Sequence, residues 1–295
     1  MIAQGGMTAP ARKANVVEFP RIAPPHNRVL VPREHGSWAL WLLPLLSGGI
    51  VGYFSAPGRT AAPILWFILV ATAAFLIHQP LESLLGVSVL KLRSLREQQI
   101  AVFWVMGLTI IAAVGAFELV RLQRILVFVF ALVGLGCFAL GALFGKARSL
   151  RVPKQVVGAL GLSATAAGAY YVTTGRIDRT ALVLWLAAWV FAAGQIEYVQ
   201  LRLRTAFVRS PSGKAIAGWR VGFLHLTLLA AAIISAATGL VPALFGLVFL
   251  PGTIRLFVWM ATPPRPLRLY VVGFSELLQS VAFNALLTAA FLLRV

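Results

Sequence analysis

The chain has 295 residues, 60% of them hydrophobic and 12% charged, with 26 Lys and Arg against 8 Asp and Glu. A soluble domain of this size needs far more polar surface to cover its core, so an ordinary globular protein is excluded. Nucleic-acid binding, one reading of a formal charge of +18, needs its cations on a polar domain; here they cluster between apolar runs of bilayer-spanning length, so the expected partner is the lipid bilayer and not nucleic acid.

In chain order, residues 1–30 combine proline and scattered charge with no apolar stretch and read as a disordered cytoplasmic tail. Residues 31–295 then read as a nine-helix transmembrane domain, an all-α bundle. Its spans fall at roughly 37–54, 61–82, 99–117, 124–145, 155–173, 180–198, 221–237, 240–260 and 268–293. The third and fourth spans, and the seventh and eighth, are joined so briefly that each pair is expected to pack as antiparallel neighbours. With the N-terminus inside, alternate segments hold Lys and Arg in the ratio 19 to 6, with Arg255 inside a span. The positive-inside rule then places the N-terminus in the cytoplasm and the C-terminus outside. The single cysteine, Cys137, lies in an apolar run and excludes any disulfide framework.

Ionisable groups inside a bilayer are costly, so those in or beside spans are the candidates for function. Glu34, Glu82, Glu97, Glu197 and Glu276 fall on the cytoplasmic side, as do His35, His78 and His225. Glu276 and His225 lie within spans and are expected to face the bundle, Glu276 with Arg255 or Arg268 as its ion-pair partner. His78 and Glu82, four apart, share a face if the helix survives Pro80. The richest segment is Pro32-Arg-Glu-His-Gly-Ser-Trp38. It presents an anion donor, a carboxylate and a titratable base at a helix entrance, beside Gly36, which admits close approach.

That segment, continued by Ala-Leu-Trp-Leu-Leu-Pro44, resembles the opening of the YwiC-like family of bacterial membrane proteins, over most of residues 28–295. The resemblance implies a multi-pass protein of a bacterial plasma membrane and no particular activity. A broader resemblance is to the UbiA superfamily of intramembrane prenyltransferases, which have nine helices with the N-terminus inside. It is carried by Lys146 to Gly175 and by Gln195-Ile-Glu-Tyr-Val-Gln-Leu-Arg-Leu-Arg204, with His78-Gln-Pro-Leu-Glu82 at the position of the first Asp-rich motif. Those enzymes hold magnesium with clustered aspartates, whereas this chain has one, Asp178, on the opposite side. Glu82 and Glu197 are the acids that remain at the two motif positions.

What the resemblance implies is a cytoplasmic-side cavity for an isoprenoid or other amphipathic lipid, at best a degenerate transferase site without the usual Asp-rich metal motifs, in which Glu82 and Glu197 act as acid and base or share a single metal ion. Glu34, His35, Glu82 and Glu197 are the candidate catalytic groups. Arg33, Lys91, Arg93, Arg148, Arg202 and Arg204 would hold the head group, with His78, His225 and Glu276 lining the site. A proton-coupled transporter built on Glu276, His225 and Arg255 is the alternative. Haem ligation by two of His35, His78 and His225 is a third. Neither the cofactor nor any protein partner can be named from the sequence.

Overall fold

The computed structural model describes residues 35–56, 60–87, 92, 94–143, 150–208, 210–263 and 267–293; of His35 and Gly36 only the backbone is described. The expected N-terminal tail lies outside these residues. Nine α-helices and no strand occur among the described residues: α1 His35–Ser55, α2 Ala62–Leu84, α3 Leu95–Arg121, α4 Val127–Leu143, α5 Arg151–Thr174, α6 Arg179–Arg204, α7 Pro211–Ala237, α8 Leu250–Ala261 and α9 Leu269–Leu293. Eight stretches among them are long and apolar enough to cross a membrane, α8 counted with the 3₁₀ turn Ala243–Leu247 that precedes it. The ninth, α4, has 17 residues and a rise of about 25 Å. The chain is thus an all-helical, multi-pass membrane protein.

Local chemistry accounts for the helix starts. Ser94 Oγ accepts from Glu97 N, the N-terminal half of a capping box, and Ser210 Oγ accepts from Gly213 N at the head of α7. Asp178 caps α6 by accepting from the backbone of Thr180 and Ala181, and also accepts from Tyr170 Oη at 2.9 Å. The only aspartate of the chain is thereby engaged in holding a helix end. The α7 helix starts at Pro211, ten residues before the expected boundary, because Ser210 and Pro211 form a strong start signal in polar sequence. The expected eighth span is broken into the 3₁₀ turn and α8, with Pro251 in the first turn of α8.

The bundle is organised around α5, which packs on α1, α2, α4 and α6. The α1–α5 crossing is the closest. A Cβ built on Gly48 would stand 1.9 Å from the carbonyl oxygen of Ala166, and one on Gly52 would stand 2.0 Å from Thr173 Oγ1. Later residues of α1 meet later residues of α5, so the two helices run in the same direction. Small residues at four-residue spacing are what allow membrane helices to approach through their backbones, where apolar surface alone supplies no drive. The other face of α5 is pinned by α6, where Trp185 Nε1 and Trp189 Nε1 donate to the carbonyls of Leu160 and Val156. On the opposite side of α1, Ser47 Oγ donates to Asn284 Oδ1 of α9 at 3.0 Å.

The seventh and eighth spans pack together as expected, but α3 and α4 are not close neighbours: α3 packs on α2, and α4 packs on α5. The turn between them explains the difference. Arg124 Nε donates to the Val172 carbonyl at 2.7 Å, and Leu126 N donates to Tyr171 Oη. These bonds tie the start of α4 to the end of α5, where Gly175, at φ +76°, closes the helix beneath the Arg124 guanidinium.

Substituting Gly48→Ala is expected to destabilise the protein by about 1–3 kcal/mol or more through overpacking against backbone. Gly107→Ala, where nothing lies within 4 Å of the added carbon, is expected to be neutral or slightly stabilising. Thermal denaturation in detergent, followed by loss of the monodisperse peak, separates the two.

Candidate functional site

Polar side chains converge where the last turns of α6 and α8 meet the first turns of α7 and α9. Gln195, Tyr198 and Arg202 recur at intervals of three and four along α6 and so form one stripe. Arg255 and Trp259 form a matching stripe on α8, and Glu276 faces them from the second turn of α9.

Arg255 is the centre. Its Nη1 donates to Glu276 Oε1 at 2.7 Å, its Nη2 donates to Gln195 Oε1, and its guanidinium carbon lies 4.0 Å from the Tyr198 ring centroid. The side chains of Arg255 and Glu276 are only 12% and 16% exposed, so each is the counter-charge that makes burial of the other tolerable. Arg202 Nη1 donates to Tyr198 Oη at 3.0 Å, and its guanidinium lies 5.6 Å from the Trp259 ring. Lys214, buried, donates to the carbonyls of Trp259 and Thr262, both at 2.6 Å. It therefore caps the C-terminal end of α8, where orphan carbonyls and the helix dipole favour a cation. Counting Arg202, Lys214 and Arg255 against Glu276, this group of contacting side chains carries an excess of positive charge.

Two cavities flank the cluster. The larger, an open cleft of about 580 Å³, has Tyr198, Arg202, Arg255, Ser275 and Gln279 as its polar wall. Leu250, Pro251, Ile254, Val258, Trp259 and Val271 make most of the rest apolar, with Thr262 at the end of α8. The smaller, about 210 Å³, is lined by Arg202, Glu276, apolar residues of α6 and α9, and Leu267 just before α9. Arg202 borders both, and the Arg255–Glu276 pair has its cation on one cavity and its anion on the other. Four buried polar atoms of this region have no hydrogen-bond partner among the described residues: Arg255 Nε, Glu276 Oε2, Gln279 Oε1 and His225 Nε2. Such atoms are costly in a packed interior and mark a place where a further polar group fits.

The sequence candidates distribute as follows. Arg202 lines the cleft and Glu276 the smaller pocket. His225 is buried, its ring 3.6 Å from a Cβ built on either Gly194 or Gly252, and it lines neither cavity. Arg204 is exposed at the last residue of α6, and Glu197, half-buried on α6, lines neither cavity. Glu82 belongs to a separate cluster: α2 continues through Pro80, His78 Nε2 stands 3.8 Å from Glu82 Oε1, and Lys154 Nζ of α5 stands 3.5 Å from the same oxygen. Arg33, Glu34, Lys91, Arg93 and Arg148 lie outside the described residues, as does the side chain of His35. Among the described residues, no three His, Cys, Asp or Glu side chains converge as a metal site would need.

Gln195, Tyr198, Lys214 and Gln279 are not among the site residues read from the sequence, and Arg255 enters there as the partner of Glu276 and as part of the carrier alternative. The signal that points to them is the Gln195–Tyr198–Arg202 stripe. It ends a span with hydrogen-bonding side chains on one face, but only the fold shows which arginine it meets.

A family model described as YwiC-like protein matches residues 31–172, which runs from the start of α1 to near the end of α5. No curated protein and no solved structure matches the chain. The cleft, built from α6, α8 and α9, lies beyond the matched segment.

Removing one member of the Arg255–Glu276 pair, by Arg255→Leu or Glu276→Leu, is expected to cost about 3–5 kcal/mol by stranding a buried charge. The double replacement is expected to recover a large part of that loss. A double-mutant cycle read by denaturation in detergent checks it.

Proposed function

We propose that this chain is a nine-span, YwiC-like protein of a bacterial plasma membrane that binds an anionic amphipathic lipid in the cleft between α6, α8 and α9. One observation carries the reading. The cleft joins an apolar wall to two guanidinium groups, Arg202 and Arg255, which are suited to a phosphate or carboxylate head. The tail of such a ligand would lie against Leu250, Ile254, Val258 and Val271. With the orientation favoured by the 19 to 6 distribution of Lys and Arg, the guanidinium groups stand in the cytoplasmic half of the membrane, within reach of a lipid head group.

An isoprenoid phosphate suits the apolar wall, and the UbiA-like plan suggested by the sequence belongs to this reading. Any chemistry there would proceed without the Asp-rich ligand sets of that superfamily, because Asp178 is engaged at the head of α6. Glu82 and Glu197 line neither cavity, so a catalytic role for them, together with Glu34 and His35, is proposed apart from this cleft, and Arg33, Lys91, Arg93, Arg148 and Arg204 are proposed head-group cations. A proton-coupled carrier is the second reading, favoured by an ion pair that stands between two cavities at membrane depth.

Native mass spectrometry of the purified protein is expected to show a co-purifying anionic lipid. Farnesyl phosphate is expected to raise the Tm in non-ionic detergent where farnesol does not. Arg202→Gln is expected to weaken farnesyl phosphate about tenfold, as for the loss of one charge-assisted hydrogen bond. Equal stabilisation by farnesol would remove the role given to the guanidinium groups. Proton-driven uptake in proteoliposomes that is abolished by Glu276→Gln would favour the carrier.

A further inference from the structure

Glu276 occupies the guanidinium face that an anionic head group would need. Arg255 spends Nη1 on Glu276 and Nη2 on Gln195, and its Nε has no partner among the described residues. Glu276 uses one carboxylate oxygen on Arg255, while its other oxygen is buried and unpartnered. A structural ion pair with nothing further to do would be expected to use both oxygens, as bidentate pairing with arginine allows. Here the two partners meet edge to edge across the boundary of two cavities, each with one polar atom in reserve.

We infer that Glu276 is an internal counter-anion that competes with the ligand's anionic head for Arg255, so that a proton on Glu276 opens the cleft to the anion. This rests on the lipid-binding reading of the cleft. When Glu276 takes a proton from the aqueous phase, the carboxyl loses its charge and Arg255 keeps its own. The guanidinium then requires a new counter-anion, and the cleft beside it offers the position to a phosphate, sulfonate or carboxylate head. Binding of the anion is therefore tighter at low pH and weaker at high pH, where the Glu276 carboxylate returns to Arg255.

The other charged groups near the pair fit this scheme. Arg202, from α6, borders both cavities and stays cationic throughout, so it attracts the anion at either pH. From α7, Lys214 is committed to the α8 carbonyls, and the His225 ring is buried against Gly194 of α6 and Gly252 of α8. Glu197 of α6 lines neither cavity. The remaining neighbours of α9, the described part of α1 and the 3₁₀ turn before α8, bring no charged side chain to it.

The test is titration of the full chain in non-ionic detergent with a dansyl-labelled alkylsulfonate, whose own charge does not change with pH. Binding is read by fluorescence between about pH 8 and about pH 5. The wild type is expected to bind roughly tenfold tighter at the acid end. Glu276→Gln is expected to bind tightly at both ends, and Arg255→Gln weakly at both. Sodium phosphate, added as competitor, distinguishes a site for free anions, which it would occupy, from one that requires the tail, where it would not displace the probe. Wild-type binding that is equally tight across the range overturns the competition but leaves the cleft reading standing. Absence of probe binding by every form at every pH overturns the cleft reading itself. The wild-type profile decides the matter even if a variant fails to fold.

Discussion

The backbone contact between Gly48 of α1 and Ala166 of α5 is the constraint on which the rest of the bundle depends. In a bilayer, lipid tails are as apolar as leucine, so helices gain little by hiding apolar side chains from them. Close approach through glycine and alanine supplies dispersion contacts instead. The middle of α5 is almost wholly enclosed, with Ala166, Ala167, Ala169 and Val172 at 0% exposure. Because α1 sits flush on one side of it, α9 can reach α1 through Ser47 and Asn284. Because Trp185 and Trp189 bind its carbonyls on the other side, α6 is set at a fixed height. The separation of α6 and α9, which makes room for a cleft between their ends, follows from those two attachments.

The cluster at the cleft is a different kind of structure. Three side chains from two helices are gathered around the guanidinium that α8 supplies. Buried ion pairs are weak contributors to stability compared with well-packed apolar replacements. Retaining one, with two of its polar atoms unengaged, is easier to understand as provision for a ligand than as reinforcement. The second cluster, Glu82 with His78 and Lys154, has the opposite character. It links α2 to α5 at their ends, its histidine is half exposed, and neither cavity touches it.

Much of the fold was legible in the sequence because bilayer thickness imposes a length on each apolar run. All nine helices fall where apolar runs were read. The i,i+4 pairing of His78 with Glu82 across Pro80 and the pairing of Glu276 with Arg255 were likewise accessible from spacing and from the cost of buried charge. Neighbour relations were less so. A short connection between α3 and α4 suggested a packed hairpin, but Arg124 and Tyr171 hold the turn to α5, a long-range bond with no local signature. The early start of α7 lies in polar sequence ahead of the apolar run, where Ser210 and Pro211 announce a beginning that bilayer length alone does not reveal. The candidate site was legible in part. Arg202 and Glu276 were read from charge at a membrane face, while Gln195, Tyr198 and Gln279 are neutral and gain meaning only from what they touch.

Lys214 ties one side of the cleft together. By holding the last carbonyls of α8 from the first turn of α7, it fastens two helices into a single strut, with Arg202 leaning on Trp259 of the same block. The opposite jamb of the cleft, the first turns of α9, presents Leu269, Tyr270, Val271 and Phe274 largely exposed and meets the strut through Glu276. The two walls of the cleft are therefore unlike: one is braced by a lysine across two helix ends, and the other joins it through the Glu276 carboxylate.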